Sequence, residues 1–125
     1  MLSDAAIVAF APSTDLERAH EFYGGALGLP CLEATPFANV YDANGTTLRV
    51  TRVQQVATAP YTVLGWSVRD IYATIAALAA RGVEVARFEG VEQDEAGVWT
   101  APGGARIAWF HDPDGSILSL TQPSG

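Results

Sequence analysis

Two histidines, one cysteine, a closely spaced pair of aspartates and seven arginines hold most of the reactive chemistry open to this 125-residue chain. There is no lysine, so Schiff-base and lysine-general-base chemistry are excluded. His20 falls beside the apolar stripe of a helix-like run and is expected to face solvent. His111 ends a strand just before a turn. Neither has a histidine or carboxylate at ligand spacing on its own strand, and Asp112 would point to the other face, so no metal site is expected from them. Asp112-Pro113-Asp114-Gly115 lacks the later glutamate of a calcium loop, and its residue order is that of a tight turn. No base neighbours Cys31 in sequence, which makes it a small buried or half-buried apolar residue at a strand start. Arg49 is different. On an inward strand face its guanidinium needs a carboxylate, phosphate or aromatic partner, or else its stem packs while its head reaches solvent or an acid such as Asp42 or Glu33.

The elements that position these residues occur twice. Asn44-Gly45-Thr46-Thr47-Leu48-Arg49-Val50 and Asp114-Gly115-Ser116-Ile117-Leu118-Ser119-Leu120 are each a turn opening into an alternating strand. A shift of 55 residues relates Val8 and Asp15-Leu16 to Val63 and Asp70-Ile71, and each copy leads into a helix-like run that stops at Gly28 or Gly82. In the first copy, Ala5–Ala11 is strand-like and Thr14 with Glu17 forms a capping box. Leu16, Ala19, Phe22, Tyr23, Ala26 and Leu27 share a helix face. Strands follow over 30–35, 37–43 and 46–53, with Asn44-Gly45 as the hairpin turn. In the second copy, Tyr61–Val68 is a strand, Asp70 caps a helix over 71–81, and Val83–Phe88 is a strand. An acidic insertion carries a short strand at Val98-Trp99-Thr100, and a hairpin joins Arg106–His111 to Ser116–Thr121. Between Arg49 and Ser119 the shift is 70, so the second copy is about 15 residues longer. The fold class is α+β: two β-α-β-β-β modules, 5–53 and 61–122, joined by a connector at 54–60, form a cupped half-barrel of mixed sheet within one domain, 1–125.

Composition narrows the function. Hydrophobic residues at 49% and charged residues at 17% suit a folded soluble domain, and no apolar run is long enough to span a bilayer. The start lacks the basic segment of a secretory signal, and a single cysteine fits a reducing cytoplasm. A net charge of −7 without a basic patch argues against nucleic acid. Glu84, Glu89, Glu92, Asp94 and Glu95 form either a solvated loop or an attractor for a cationic ligand.

Phe22-Tyr23 followed by Leu27-Gly28-Leu29, together with Trp109-Phe110-His111-Asp112-Pro113-Asp114-Gly115, resembles the vicinal oxygen chelate superfamily of glyoxalase I, extradiol dioxygenases and bleomycin resistance proteins. The resemblance covers residues 5–122. Active members hold a divalent metal with His and Glu at the first and last strands of each module. Those positions correspond here to Val8, Arg49, Val63 and Ser119. Two valines, an arginine and a serine are a poor donor set, so the resemblance implies neither metal nor other cofactor. Homodimers are common in the family.

The expected lining of the cup follows from alternation: Val8 with Phe10, Val63, Arg49 and Ser119. A two-residue turn sets Val40 opposite Arg49 and, by the repeat, Phe110 near Ser119; a bulge brings Tyr41 and Trp109 inward instead. Trp99 on the inserted segment is either an aromatic on a mobile flap or a lid on the core. Trp66 should face the helix layer. The leading reading is a metal-free small-molecule-binding protein of the bleomycin resistance type, sequestering a drug or metabolite, with a cationic or aromatic organic ligand. The alternative is an enzyme. In a metal-free form Arg49 would stabilise an oxyanion and Glu33 or Asp42 would act as base. A metal-dependent lyase, isomerase or dioxygenase conflicts with Val8 and Val63.

Overall fold

A computed structural model describes all residues, 1–125, as two compact units, Met1–Ala57 and Thr58–Gly125. In the first, strand β1 (Val8–Ser13) leads to helix α1 (Leu16–His20), then β2 (Cys31–Ala34), β3 (Ala38–Ala43) and β4 (Thr46–Arg52). In the second, β5 (Thr62–Ser67) leads to α2 (Ile71–Ala79), then β6 (Trp99–Thr100), β7 (Arg106–His111) and β8 (Ile117–Gln122). The sheets have the same order, β1-β4-β3-β2 and β5-β8-β7-β6. In each, the first strand runs parallel to the last and the other pairs are antiparallel. Each unit is thus a β-α-β-β-β module, as the internal repeat predicts. A parallel first–last pair needs a crossover, and the helix supplies it.

In the first unit α1 packs on β3 and β4. The face it covers buries Ala11, Tyr41, Leu48 and Val50, with Ala19 and Tyr23 closing over them. The buried Asn39 amide is satisfied by donating to the Leu16 carbonyl at 2.9 Å, tying the helix start to the sheet. The cap is Asp15 rather than Thr14. Asp15 Oδ1 accepts from the Glu17 and Arg18 amides at 3.1 Å each, while the Thr14 hydroxyl accepts from the Arg18 guanidinium. Ser13 Oγ accepts from the Asp15 amide, shifting the cap by one residue. Beyond His20 the helix widens into a π-turn over Glu21–Ala26 and stops before Gly28, where φ is 73°.

Asn44 (φ 52°) and Gly45 (φ 93°) make a two-residue turn with both residues left-handed, and Ala43 pairs directly with Thr46. Arg49 therefore lies opposite Val40. The second hairpin is longer: His111 pairs with Ile117 across Asp112–Ser116, so Ser119 lies opposite Trp109, and Phe110 lies opposite Leu118. A one-residue difference in register sends each side chain of β7 to the other face. Phe110 is 1% exposed and stacks on Trp66 at 6.2 Å in the helix-side core. Tyr41 is fully buried for the same reason of parity. Both expected lining residues are corrected to core positions. Trp66 faces the helix layer, as alternation predicts.

The expected strand over 83–88 does not form. Gln93 inserts its side chain there: Oε1 accepts from the Phe88 amide at 2.9 Å, and Nε2 donates to the Ala86 carbonyl at 2.9 Å and the Gly97 carbonyl at 2.8 Å. The inserted β6 takes the edge place beside β7 instead. Cys31, expected at least half-buried, is exposed because all of β2 lies at an exposed sheet edge.

These placements predict two contrasts in urea unfolding. Asp15→Ala should lower stability by about 1 kcal/mol, with a smaller loss for Thr14→Ala. Phe110→Ala should lose about 3–5 kcal/mol, against no more than about 0.5 kcal/mol for Phe10→Ala on the exposed face.

Candidate functional site

Each sheet leaves the face opposite its helix open. In the first unit, β1 contributes Val8 and Phe10 there, and Phe10 is 62% exposed. Backbone register sets Phe10 beside Arg49, Arg49 beside Val40, and Val40 beside Glu33, making one lateral row across four strands. Val8, Thr47 and Asp42 form the row on one side of it, and Pro12, Thr51 and Ala38 the row on the other. Four of the expected lining residues, Val8, Phe10, Val40 and Arg49, are thus brought onto one face.

Arg49 is half-buried in the middle of that row, and no hydrogen bond, ion pair or ring contact engages its guanidinium. The acids considered for it are placed otherwise. Asp42 Oδ1 accepts from the Gly45 amide at 2.7 Å, which commits it to the hairpin turn. Glu33 shares the row but stands on the edge strand, with Val40 between. Thr51 follows on the same face of β4, and its Oγ1 is buried without a hydrogen-bond partner.

In the second unit the open face carries Val63, Ser119, Trp109 and Trp99. Gly65 sits beside Ser119, and a Cβ at Gly65 would fall 2.6 Å from Ser119 Oγ. Trp109 stacks on Trp99 at 6.2 Å and meets Phe88 edge-on at 5.6 Å. The inserted segment bearing Trp99 is tied down by polar contacts. Arg87 donates to the Asp94 and Glu95 carbonyls. Asp94 Oδ1 accepts from the Ala96 and Val98 amides, and Oδ2 accepts from the Tyr72 hydroxyl at 2.6 Å. Part of the acidic run is therefore structural.

The positions where the resemblance places metal ligands do not fit a divalent cation. Val8 and Val63 have no donor atom, Arg49 carries the wrong charge, and Ser119 offers one neutral hydroxyl. His111 and Asp112 add nothing to them. Asp112 Oδ1 is held by the Asp114 and Ser116 amides at 3.0 and 2.9 Å, the turn role its motif suggested.

His20 holds a contact that spacing could not foretell. Its ring stacks on Tyr41 at 5.9 Å, and Nδ1 lies 3.0 Å from the phenol oxygen. Burial raises the Tyr41 pKa, so the phenol keeps its proton. Gly24 makes the room, since a Cβ there would fall 2.6 Å from the ring. A groove of about 840 Å³ lies beside His20 between α1 and the β2–β3 turn. Of its lining residues, Asp15 and Asn39 are committed to holding α1.

The Tyr72 hydrogen bond is the main cause that holds the Asp94 carboxyl below its usual range, outweighing a burial penalty that acts in the other direction; backbone amides add to it. A depressed folded pKa contributes stability above the unfolded carboxylate range and loses it as pH falls through the folded value. In an NMR titration Asp94 should therefore protonate at lower pH than an ordinary aspartate. In Tyr72→Phe its midpoint should move back upward.

Residues 7–120 match the family model of the Glyoxalase/Bleomycin resistance protein/Dioxygenase superfamily. No curated protein sequence matches significantly. Among solved structures, the chain is similar to a glyoxalase/bleomycin resistance protein from Catenulispora acidiphila, with 21% identity, a TM-score of 0.72, and coverage of 95% of this chain and 98% of that one. A glyoxalase/bleomycin resistance protein/dioxygenase from Alicyclobacillus acidocaldarius gives 19%, 0.69, and 98% and 93%. The fosfomycin resistance protein FosX from Mesorhizobium loti gives 13%, 0.70, and 99% and 95%. At these identities the structures share the fold, whereas the family model spans nearly the whole sequence. With its paired β-α-β-β-β modules, the chain belongs to the glyoxalase/bleomycin resistance protein/dioxygenase superfamily.

Proposed function

We propose that this chain binds a small organic molecule without a metal ion, on the open face of its first sheet. The observation that carries the reading is the content of that face. Arg49, at a position where the resemblance implies a metal ligand, has an exposed Phe10 on one side and Val40 on the other. Apolar surface with a few polar points is the usual make-up of a small-molecule site. Val63, Ser119, Trp99 and Trp109, the other expected lining residues, lie on the open face of the second sheet. No helix is long and apolar enough to cross a membrane. The apolar side chains left uncovered on both sheets support a homodimer, and the single cysteine supports a cytoplasmic setting. Sequestration of a drug or metabolite is the role this binding would serve.

An enzyme reading has one observation in its favour: Glu33 shares a lateral row with Arg49, so a base and an oxyanion donor could flank one substrate. Turnover that disappears in Arg49→Ala would favour it.

Thermal unfolding against divalent metals, a chelator and a panel of organic molecules tests the main reading. An organic ligand should raise the midpoint, with no response to metal or chelator, because only native-state binding stabilises the fold. A metal-specific rise, or a loss with chelator, overturns it. Sedimentation of the free protein should show a dimer.

A further inference from the structure

A guanidinium on a half-covered sheet face without a partner is a costly arrangement. Burying charge without hydrogen bonds is unfavourable, and an arginine offers five donors in a rigid fork. Around Arg49 the neighbours along its row are Phe10 and Val40, and Val8 lies one row on; none can accept a hydrogen bond. The nearest acid on β3, Asp42, is held by the turn amide of Gly45. Thr51 adds a second unspent polar group about 7 Å along the strand on the same face. The fork therefore lacks the one thing it is shaped for: a planar pair of oxygens.

We propose that Arg49 anchors the carboxylate of a small organic acid, whose flat apolar body lies on Phe10 between Val8 and Val40. This rests on the reading that the open face of the first sheet holds a small molecule, and it names that molecule's class. Carboxylate is favoured over phosphate by charge. Arg49 is the only cation on this face, because Arg52, three residues on, falls on the other side of β4. The chain has no lysine and a net charge of −7, with Asp42 and Glu33 on the same face. A monoanion is matched by one guanidinium; a dianion is not. Arginine and carboxylate can also join through two parallel hydrogen bonds, which fixes orientation. The assignment differs from the cationic ligand that the acidic composition suggested; within that acidic run, Asp94 is engaged with Tyr72 and backbone amides.

The test is a set of matched probes without added metal: benzoate, phenylacetate and cinnamate, the neutral benzamide, the cationic benzylammonium, and inorganic phosphate. Dissociation constants come from calorimetry, and the Arg49 Nε resonance is followed by NMR. The carboxylates should bind and shift that resonance, while benzamide and benzylammonium should bind at least tenfold more weakly. Arg49→Gln should weaken the carboxylates tenfold or more, and Arg49→Lys, which keeps the charge without the fork, should fall between. Phe10→Ala should weaken the aromatic acids while keeping their preference over benzamide. Thermal midpoints near that of the parent protein establish that each variant is folded.

Equal binding of benzamide or benzylammonium, or unchanged carboxylate affinity in Arg49→Gln, overturns the anchor while leaving metal-free binding in place. Phosphate binding tighter than the carboxylates overturns the choice of anion. No carboxylate response at millimolar concentration also overturns the proposal. Binding of any probe only after a divalent metal is added overturns the functional reading beneath it.

Discussion

Side chains alternate across a strand, so the two hairpin turns govern which residues each sheet presents to solvent. At Asn44-Gly45 the turn has two residues, and Arg49 pairs with Val40; between His111 and Ile117 it has five, and Ser119 pairs with Trp109. In a perfect repeat the second hairpin would set Phe110 against Ser119. The extra length is stabilised from within, because one carboxylate oxygen of Asp112 takes two backbone amides and holds the wider loop in shape. One residue of register thus sends Phe110 into the core and Trp109 to the open face. The choice of core aromatics, the stack on Trp66 and the pairing of Trp109 with Trp99 all depend on it.

The same modules have diverged in how they close their sheet edges. In the first unit β2 pairs with β3 and is exposed along its whole length. In the second, Gln93 takes up the amide of Phe88 and the carbonyl of Ala86, and the equivalent segment keeps a single backbone bond to β7, from the Ala86 amide to the Trp109 carbonyl at 2.7 Å. The insertion then supplies its own short strand. Its acidic residues look from composition like a solvated run, yet Asp94 accepts from two backbone amides and a phenol. Charge that would repel if left free is partly spent on fixing the loop.

Electrostatics separates this chain from a metal-binding relative more clearly than shape does. A divalent cation needs anionic or neutral donors converging on one point, and valine at two of the family's ligand positions removes them. Placing a guanidinium at a third reverses the sign of the charge. One scaffold serves many reactions, so membership of the family leaves the reaction open.

Fold class, the duplicated module, the hairpin at Asn44-Gly45 and the helix stop signals were legible in the chain because each is local. Turn residues, capping groups and hydrophobic periodicity act over a few positions. What needed tertiary structure was every choice settled by a side-chain contact or a strand register that local pattern does not reveal. Ser13 moved the helix cap from Thr14 to Asp15, Gln93 took up backbone groups of Ala86 and Phe88 that a strand would have used, and Gly24 made room for His20 against Tyr41. The inward or outward facing of Tyr41, Trp109 and Phe110 belonged to this second group, because parity along a strand is known from sequence but its absolute phase is set by the register of the neighbouring strand.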